Sequence, residues 1–376
     1  MAETDALSSS DPGTEEYAVR LYEPGDREAF ERLYDTVFGE GSEEWFDWKY
    51  VENPAVSHVP IVIAECGGDL VAARPCVPIW MTAGDERVLA IRFGDTMVHP
   101  EHRRRGLFSR TTRWCLEYYT DVEPVFGFNH PNDASLPGYR KLGGRVVGRT
   151  PVRYRVQNPV ALLDGSGDLF SRGERVARPL TRAYFGARER FAPPTSGLSV
   201  RRERSIPVET LSRLYGRAPP DGVHAERGAE FYRWRFANPQ WRYTAYVAER
   251  GDEPLSAVVT GERSVGGVDL VTLVEVVPLA ENHARVDAVS ALFSRIVADH
   301  ADADLLAYSG RAVPGVVLSR YGFHADDVAP LSFVARPTEL VVYDLTGGRA
   351  PSWSVGGYGL LDPGSWALSF CERDAR

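Results

Sequence analysis

Residues 93–108, FGDTMVHPEHRRRGLF, decide the fold because they join a strand to a helix through a short basic loop. The apolar run that ends at His99-Pro100 is typical of a strand. Apolar residues recur at helical spacing between positions 107 and 119, which predicts a helix that packs one face on a sheet. Helical and strand-like segments alternate along the rest of the chain as well. The sequence therefore predicts an α/β fold of the mixed-sheet, α+β kind, with helices packed on the sheet.

The loop and the helix that follows it predict an anion site. The first turn of a helix presents unpaired backbone N–H groups and the positive end of the helix dipole. Gly106, the last loop residue, lets the backbone approach a ligand closely, and the three arginines before it add positive charge. This arrangement favours a phosphate or pyrophosphate group as the ligand.

The same residues resemble the signature of the GNAT superfamily of N-acetyltransferases, V-x-P-x-x-[RQ]-x-x-G-x-[GA]. Val98, Pro100, Arg103 and Gly106 fill this pattern, whereas Phe108 stands where glycine or alanine is usual. The run His-Arg-Arg-Arg-Gly-Leu-Phe is similar to that of the enhanced-intracellular-survival aminoglycoside acetyltransferases, which also contain tandem GNAT-like domains. The resemblance implies that the loop cradles the pyrophosphate of an acyl-CoA.

A second stretch, residues 132–143, resembles the later GNAT motif N-x-x-A-x-x-x-Y-x-K-x-G. Asn132 and Tyr139 keep the family's interval, although Ala134 lies one position early and Gly144 replaces a frequent phenylalanine. In the family this asparagine contacts the pantetheine arm, and this tyrosine lies beside the thioester sulfur. The resemblance thus implies acetyl-CoA as cosubstrate, with the binding residues Met97, Val98, Arg103, Arg104, Arg105, Gly106, Leu107, Phe108, Ser109 and Asn132.

Acyl transfer needs a base, an oxyanion donor and a proton donor, and the sequence offers candidates for each. We expect direct attack by a primary amine, because no Cys or Ser stands in a recognisable nucleophile setting. Tyr139 is the candidate proton donor for the leaving thiolate, and the backbone near Met97 or Val98 is the family's usual oxyanion donor. For the base, Asp95 on the strand competes with the C-terminal carboxylate of Arg376, since the terminal carboxylate has that role in the tandem family.

An internal repeat predicts two tandem GNAT-like domains. Residues 45–54 recur as residues 231–239, with the shared pattern aromatic, aromatic, any, Trp, basic, aromatic and then Asn-Pro. Each copy continues into an apolar hairpin with Gly-Asp turn chemistry, at residues 61–72 and 246–257. The predicted division is a disordered leader at 1–15, a GNAT domain with the acyl-CoA site at 16–157, a linker with a crossover helix at 158–197, a degenerate GNAT-like domain at 198–345 and a tail at 346–376.

The second copy has lost the residues that would hold a cofactor. It keeps Val276 and Pro278 of the first motif but has no Arg-x-x-Gly loop after them. Leu318 stands where the first copy has Tyr139. We therefore expect the second domain to bind no acyl-CoA and to help shape the cleft for the acceptor.

Composition disfavours several classes of protein. A net charge of −9 argues against a nucleic-acid binder, whose surface must neutralise phosphates. The four cysteines and eight histidines show no ligand spacing, so we expect no metal, and scattered thiols suit a cytoplasmic protein. The sequence has no apolar run long enough to span a membrane, and its first residues show no signal-peptide pattern.

The expected partner is a small-molecule or peptide amine. Two other functions stay open: a tRNA-dependent aminoacyltransferase, whose class usually lacks the Arg-x-x-Gly loop, and a non-catalytic acyl-CoA-binding module. The intact Tyr139 argues against the second of these, and the absence of an obvious base argues for it. The sequence specifies neither the acceptor, nor the acyl length, nor whether the chain forms a homo-oligomer.

Overall fold

The computed structural model describes residues 16–39, 41–120, 122, 124–162, 168–189, 197–279, 285–329, 331–333, 337–348 and 353–373. Its strands are β1 Tyr17–Leu21, β2 Ile61–Cys66, β3 Asp69–Ala83, β4 Glu86–Phe93, β5 Met97–Val98, β6 Phe126–Asn129, β7 Arg145–Thr150, β8 Arg153–Val156, β9 Ser199–Glu203, β10 His224–Ala225, β11 Arg242–Arg250, β12 Glu253–Val265, β13 Val268–Val277, β14 Leu305–Tyr308, β15 His324–Ala325, β16 Thr338–Asp344, β17 Ser354–Val355 and β18 Tyr358–Gly359. Its α-helices are α1 Arg27–Phe38, α2 Glu43–Phe46, α3 Leu107–Thr120, α4 Leu136–Lys141, α5 Asp168–Glu189, α6 Val208–Arg217, α7 Ala229–Arg235, α8 Val286–Asp299 and α9 Gly315–Arg320.

The larger sheet is built mainly from the first half of the chain. Its order is β1-β2-β3-β4-β6-β16-β7, and the short strands β5 and β10 also pair with β3. β4 and β6 run parallel, with Ala90 opposite Phe126, whereas the other pairs are antiparallel. Parallel neighbours need a crossover connection, and α3 supplies it while packing on β2 and β3.

The smaller sheet repeats this plan in the second half. Its order is β15-β8-β14-β13-β12-β11-β9, and its parallel pair, β13 and β14, is connected through α8. Each half therefore consists of an antiparallel meander followed by a helix and a parallel strand. The predicted mixed α/β fold and its internal duplication are both confirmed.

The two sheets exchange strands. β16, from the second half, lies between β6 and β7 of the larger sheet, with Val342 opposite Phe128 on one side and Arg145 on the other. In return, β8 from the first half pairs with β14 and β15 in the smaller sheet. The predicted domain bounds 16–157 and 198–345 stay a prediction. The last strand of each span, β8 and β16, forms its hydrogen bonds with strands of the other half.

Local sequence patterns account for the hairpins. β2 turns into β3 at Gly67 and Gly68, whose φ angles of +61° and +92° lie in the region that favours glycine. The second copy turns at Gly251, with φ +62°. The hairpins predicted at 61–72 and 246–257 are thereby confirmed.

The predicted helices are also present. The helix predicted between positions 107 and 119 is α3. α5 lies in the predicted linker, whose Gly-rich stretch 164–167 and Pro193-Pro194 fall outside the described residues, as do the leader 1–15 and the last three residues. None of the helices in the described ranges is long and apolar enough to cross a membrane.

The repeated aromatic segments meet at the interface between the two halves. Trp48 and Trp234 occupy the same position of the repeat, and their rings stack with centroids 5.8 Å apart. Each indole donates to the other residue's backbone carbonyl, at 2.5 Å from Trp48 and 2.8 Å from Trp234. A continuous core of buried apolar side chains surrounds them and includes residues of both sheets.

The C-terminal segment, residues 366–373, is tied to the second half by buried charges. Arg227 is fully buried and pairs with Glu275 at 2.9 Å and with Glu372. The backbone N–H of Ala225 also donates to Glu372, at 3.1 Å, and β10 in turn pairs with β3 of the larger sheet. The segment is thus held between the two sheets.

Candidate active site

A cleft opens where two parallel strands diverge. β4 and β6 pair as far as Arg92 and Phe128, after which β4 breaks at residues 94–96 before β5 begins. The resulting cavity has a volume of about 270 Å³. The side chains that define it include Phe93, Thr96, Phe108, His130, Asn132 and Tyr139.

Asp95 forms the break between β4 and β5. Its φ of +45° is rare for a residue with a Cβ, although Asp tolerates this region better than most. The carboxylate is buried, pairs with the ammonium of Lys49 and accepts a hydrogen bond from the Tyr50 hydroxyl at 2.9 Å. Asp95 therefore borders the cleft and also anchors the first aromatic repeat to it.

The basic loop has the geometry that an anion cradle requires. A 3-10 turn at Pro100–His102 leads into the exposed residues 103–106. Arg104 and Gly106 have φ angles of +63° and +78°, and a Cβ at Gly106 would have no neighbour within 4 Å. The backbone of Gly106 is thus open to a ligand. Buried Leu107 fixes the first turn of α3 beneath it.

Contacts with β1 position the arginines around this loop. The Tyr17 hydroxyl accepts a hydrogen bond from Arg105 at 2.9 Å and lies 3.1 Å from Nδ1 of His102. Arg110 donates to the Tyr17 carbonyl at 2.7 Å, and Arg103 Nε donates to the Val98 carbonyl at 3.4 Å. The predicted cradle residues are therefore brought together, with Ser109 half-buried in the first turn of α3.

Asn132 and Tyr139 lie at the other wall of the cleft. Oδ1 of Asn132 accepts from the backbone N–H and from the hydroxyl of Ser135, each at 2.9 Å, and so stabilises the start of α4. Tyr139 is 4% exposed, and Phe108 packs edge-on against its ring at a centroid distance of 5.3 Å. Tyr343, on the exchanged strand β16, donates to the Tyr139 carbonyl at 2.8 Å. The strand exchange therefore supports the site directly.

The sequence reasoning missed Arg74. This residue is fully buried, and its Nη1 donates to the Tyr139 hydroxyl at 2.6 Å and to the Thr96 hydroxyl. A signal was available, because Arg74 is the sole charge in the apolar run 70–83. A buried charge inside a strand is uncommon and often marks a function.

His130 was missed as well. Burial, together with the charges of Arg373 and Arg92, holds the pKa of His130 well below its usual 6.5, so the imidazole is neutral at physiological pH. Its Nε2 atom is closed to solvent and has no hydrogen-bond partner among the described residues. Arg373 donates to the Thr150 carbonyl at 2.8 Å and lies close enough to His130 for its charge to act on this residue of the cleft. The carboxylate of Arg376 lies outside the described residues.

The second half has a corresponding opening where β13 and β14 diverge. The C-terminal residues Ala367, Leu368 and Ser369 line this space together with Leu273 and Tyr308. The Tyr308 hydroxyl accepts a hydrogen bond from the backbone N–H of Val313 at 3.0 Å. In the part of the chain that the structure describes, no group of three or more His, Cys, Asp or Glu residues could hold a metal ion.

Comparisons with known proteins identify this architecture. Residues 18–147 match the sequence model of the acetyltransferase (GNAT) domain. No curated protein matches the chain in sequence.

Solved structures share the fold along most of the chain. A GCN5-related N-acetyltransferase from Kribbella flavida has a TM-score of 0.58 at 17% identity, with 90% of this chain and 73% of that chain covered. A probable N-acyltransferase of unknown function from Enterococcus faecalis has a TM-score of 0.62 at 10% identity, with coverages of 89% and 74%. Eis1 from Mycobacterium abscessus has a TM-score of 0.51 at 14% identity, with coverages of 88% and 73%. Residues 18–147 therefore match a GNAT acetyltransferase domain, and the solved structures show that the chain as a whole shares the fold of these proteins.

Proposed function

We propose that the chain transfers an acetyl group from acetyl-CoA to a primary amine by direct attack. One observation carries the proposal: α3, which begins directly after the open loop 103–106, contributes Phe108 to the same cleft that Tyr139 lines. Phe108, in the first turn of α3, also packs on the Tyr139 ring. An acetyltransferase domain needs this combination of an anion cradle and a proton donor.

The residues present fit a pyrophosphate-containing cosubstrate. The N–H groups of the first α3 turn and the backbone of Gly106 would hold the pyrophosphate, with Arg103, Arg104 and Arg105 adding positive charge around it. Bound acetyl-CoA supplies the activated thioester. Met97 and Val98 form the strand edge from which a backbone N–H would stabilise the oxyanion.

Tyr139 would protonate the leaving sulfur, and two candidates remain for the base. Asp95 borders the cleft, but its carboxylate is engaged by Lys49 and Tyr50. The carboxylate of Arg376 is the other candidate, and the charge of Arg373, the last described residue, acts on His130 in the cleft. The acceptor is a small-molecule or peptide amine, and the second half helps to shape its entrance.

Calorimetric titration with acetyl-CoA tests the proposal. We expect the wild-type chain to bind at a single site and Gly106→Asp to abolish binding, because its carboxylate would repel the pyrophosphate and its Cβ would strain a φ of +78°. Gly251→Asp is the matched control, since Gly251 also has positive φ (+62°) and open space at Cβ, but lies in a hairpin turn of the second half. Equal binding by all three proteins would contradict a cradle at residue 106.

A further inference from the structure

Arg74 is a buried cation that no carboxylate of the described residues balances. It lies on β3 and is 0% exposed. Its guanidinium carbon lies 4.7 Å from the ring centre of Phe93, 4.9 Å from that of Tyr139 and 5.8 Å from that of Phe108. The Nε and Nη2 atoms have no hydrogen-bond partner among the described residues. Because an unbalanced buried charge opposes folding, its place beside the cleft requires a functional explanation.

The hydrogen bonds of Arg74 fix the direction of the Tyr139 proton. A guanidinium only donates and stays protonated in proteins, so the Tyr139 oxygen must accept from Nη1, at 2.6 Å. The hydrogen of the Tyr139 hydroxyl must therefore point elsewhere. Thr96, the second acceptor of Nη1, lines the cleft together with Tyr139, so Arg74 approaches both hydroxyls from behind the cleft wall.

We propose that Arg74 is a positioning residue that directs the Tyr139 proton at the thioester sulfur. After Tyr139 has given up this proton, Arg74 stabilises the negative charge on the Tyr139 oxygen. This inference rests on the proposed acetyl transfer and deepens it. The amine nitrogen forms the new N–C bond, the C–S bond breaks with its electron pair on sulfur, and sulfur takes the proton of Tyr139. The proton that the amine loses to the base returns to the Tyr139 oxygen through solvent, so the products are the amide and CoA.

The developing negative charge also explains the missing counter-ion. In a site closed to water, a fixed cation stabilises a developing anion more than it would in solvent, and it needs no reorganisation during the reaction. A carboxylate paired with Arg74 in the resting protein would cancel this effect. The unbalanced cation is therefore part of a site prepared for an anion that exists only during turnover.

Three variants test the inference. Arg74→Met keeps the length of the side chain but removes every donor, and Arg74→Lys retains a cation. Arg155→Met is the matched control, because Arg155 is also buried (4% exposed), stacks on Phe185 at 3.8 Å and lies in the smaller sheet, away from the cleft. Each variant is assayed for thiol release from acetyl-CoA with spermidine, an aminoglycoside and a lysine peptide, and for its thermal midpoint.

We expect Arg74→Met to lower kcat by roughly 100-fold or more, the scale of a lost general-acid contribution, with little change in the KM for acetyl-CoA. Its thermal midpoint should stay the same or rise, because an unbalanced buried charge has gone. Arg74→Lys should recover part of kcat. Adding Arg74→Met to Tyr139→Phe should cost little more than Tyr139→Phe alone, because the two residues act as a unit. Arg155→Met should lose stability and keep kcat.

The activity assays need a suitable amine acceptor, whereas a measurement with CoA alone does not. In the wild type, the thiol of bound CoA should ionise at lower pH than in Arg74→Met, as followed by the ultraviolet absorbance of the thiolate. Identical ionisation, or equal kcat with reduced thermal stability in Arg74→Met, would overturn the positioning role and leave the transferase proposal intact. A wild-type chain that binds neither CoA nor acetyl-CoA would instead remove the proposed function, and this inference with it.

Discussion

The Tyr139 hydroxyl is held between Arg74 and the cleft, while the Tyr139 backbone is held by Tyr343. Replacing Tyr139 with Phe should lower kcat by about 10²- to 10⁴-fold, because sulfur would leave without its proton donor. Calorimetry should show that acetyl-CoA still binds, since the cradle is unchanged.

Tyr343→Phe provides the control for this prediction. It removes the hydroxyl that bonds to the Tyr139 carbonyl at 2.8 Å and leaves the Tyr139 side chain intact. We expect a loss of about 0.5–1.5 kcal/mol in the free energy of unfolding and little effect on kcat. A Tyr139→Phe enzyme with wild-type kcat would rule out Tyr139 as the proton donor.

Asp95 gives a second prediction at the residue scale. It is the charge partner of Lys49 and also a candidate for the general base, and the two roles have different consequences. Asp95→Asn removes the negative charge that pairs with the buried Lys49 ammonium, so the free energy of unfolding should fall by about 3–5 kcal/mol. Urea unfolding measures this loss. The variant Lys49→Met/Asp95→Leu, which removes both charges, should be more stable than Asp95→Asn.

Activity assays on the folded variants then choose between the bases. If Asp95 is the base, Lys49→Met/Asp95→Leu loses turnover even where it is fully folded. If the carboxylate of Arg376 is the base, a chain extended by one glycine after Arg376 loses turnover instead, while Lys49→Met/Asp95→Leu retains it. The two outcomes can be told apart because Lys49→Met/Asp95→Leu alters the buried ion pair, whereas the added glycine does not.

At the scale of elements, the C-terminal segment depends on the ionised state of Glu372. Burial works to raise the pKa of Glu372, but the charge and hydrogen bond of Arg227, together with the backbone N–H groups of Ser369 and Ala225, hold it below the usual 4.5. A group with a depressed folded pKa contributes stability above its unfolded pKa and loses that contribution as pH falls through the folded value. The thermal midpoint should therefore decline as the pH falls below about 4.5.

Glu372→Gln checks the origin of this decline. The variant should be less stable at neutral pH and should show a shallower acid decline, since the titrating group has been removed. Glu209→Gln, at an exposed carboxylate that pairs with Arg233 on the surface, should behave as the wild type. An unchanged acid decline in Glu372→Gln would show that other groups dominate it.

Elements set by local patterns could be predicted, and those set by distant partners could not. The periodicity of residues 107–119 and the glycines at the hairpin turns act within a few residues, so α3 and β2–β3 follow from the sequence. The contact of Asp95 with Lys49 joins residues 46 positions apart, and nothing in either segment specifies it. The sequence analysis named Asp95 as a candidate residue, but it could not predict that Asp95 pairs with Lys49.

The candidate site divides in the same way. The cradle and Tyr139 lie in short motifs whose spacing can be recognised, and Phe108, two residues after the cradle loop, lines the same cleft as Tyr139. Arg74 and His130 belong to no motif, because each acquires its environment from strands and helices that meet only in the folded chain. The destination of β16 could not be predicted either, since its continuous run of buried side chains from Leu340 to Tyr343 suits a central position in either sheet.

For the whole molecule, the exchanged strands make each half incomplete without the other. A fragment ending at residue 162 would lack β16, so β6 and β7 would expose unpaired backbone groups next to the cleft. We expect fragments 1–162 and 163–376 to be insoluble or unfolded when made separately and to form a one-to-one complex when made together. Size-exclusion chromatography and thermal unfolding measure this.

The matched control is a chain cut at the same position by a protease site inserted after residue 162. Cutting it after folding should leave both sheets and the stacked pair Trp48 and Trp234 intact, so the cut protein should stay associated. A fragment 1–162 that unfolds cooperatively on its own would contradict the requirement for β16.

The position of β16 also has a consequence for synthesis on the ribosome. β7 ends at Thr150, but the strand that must lie beside it is not complete until Asp344 has been made, about 190 residues later. At roughly 5–20 residues per second, the nascent first half waits about 10–40 seconds with an open strand edge beside Tyr139. Until then, a folding helper that covers exposed strand edges would protect it, and the site could be completed only after β16 has been made.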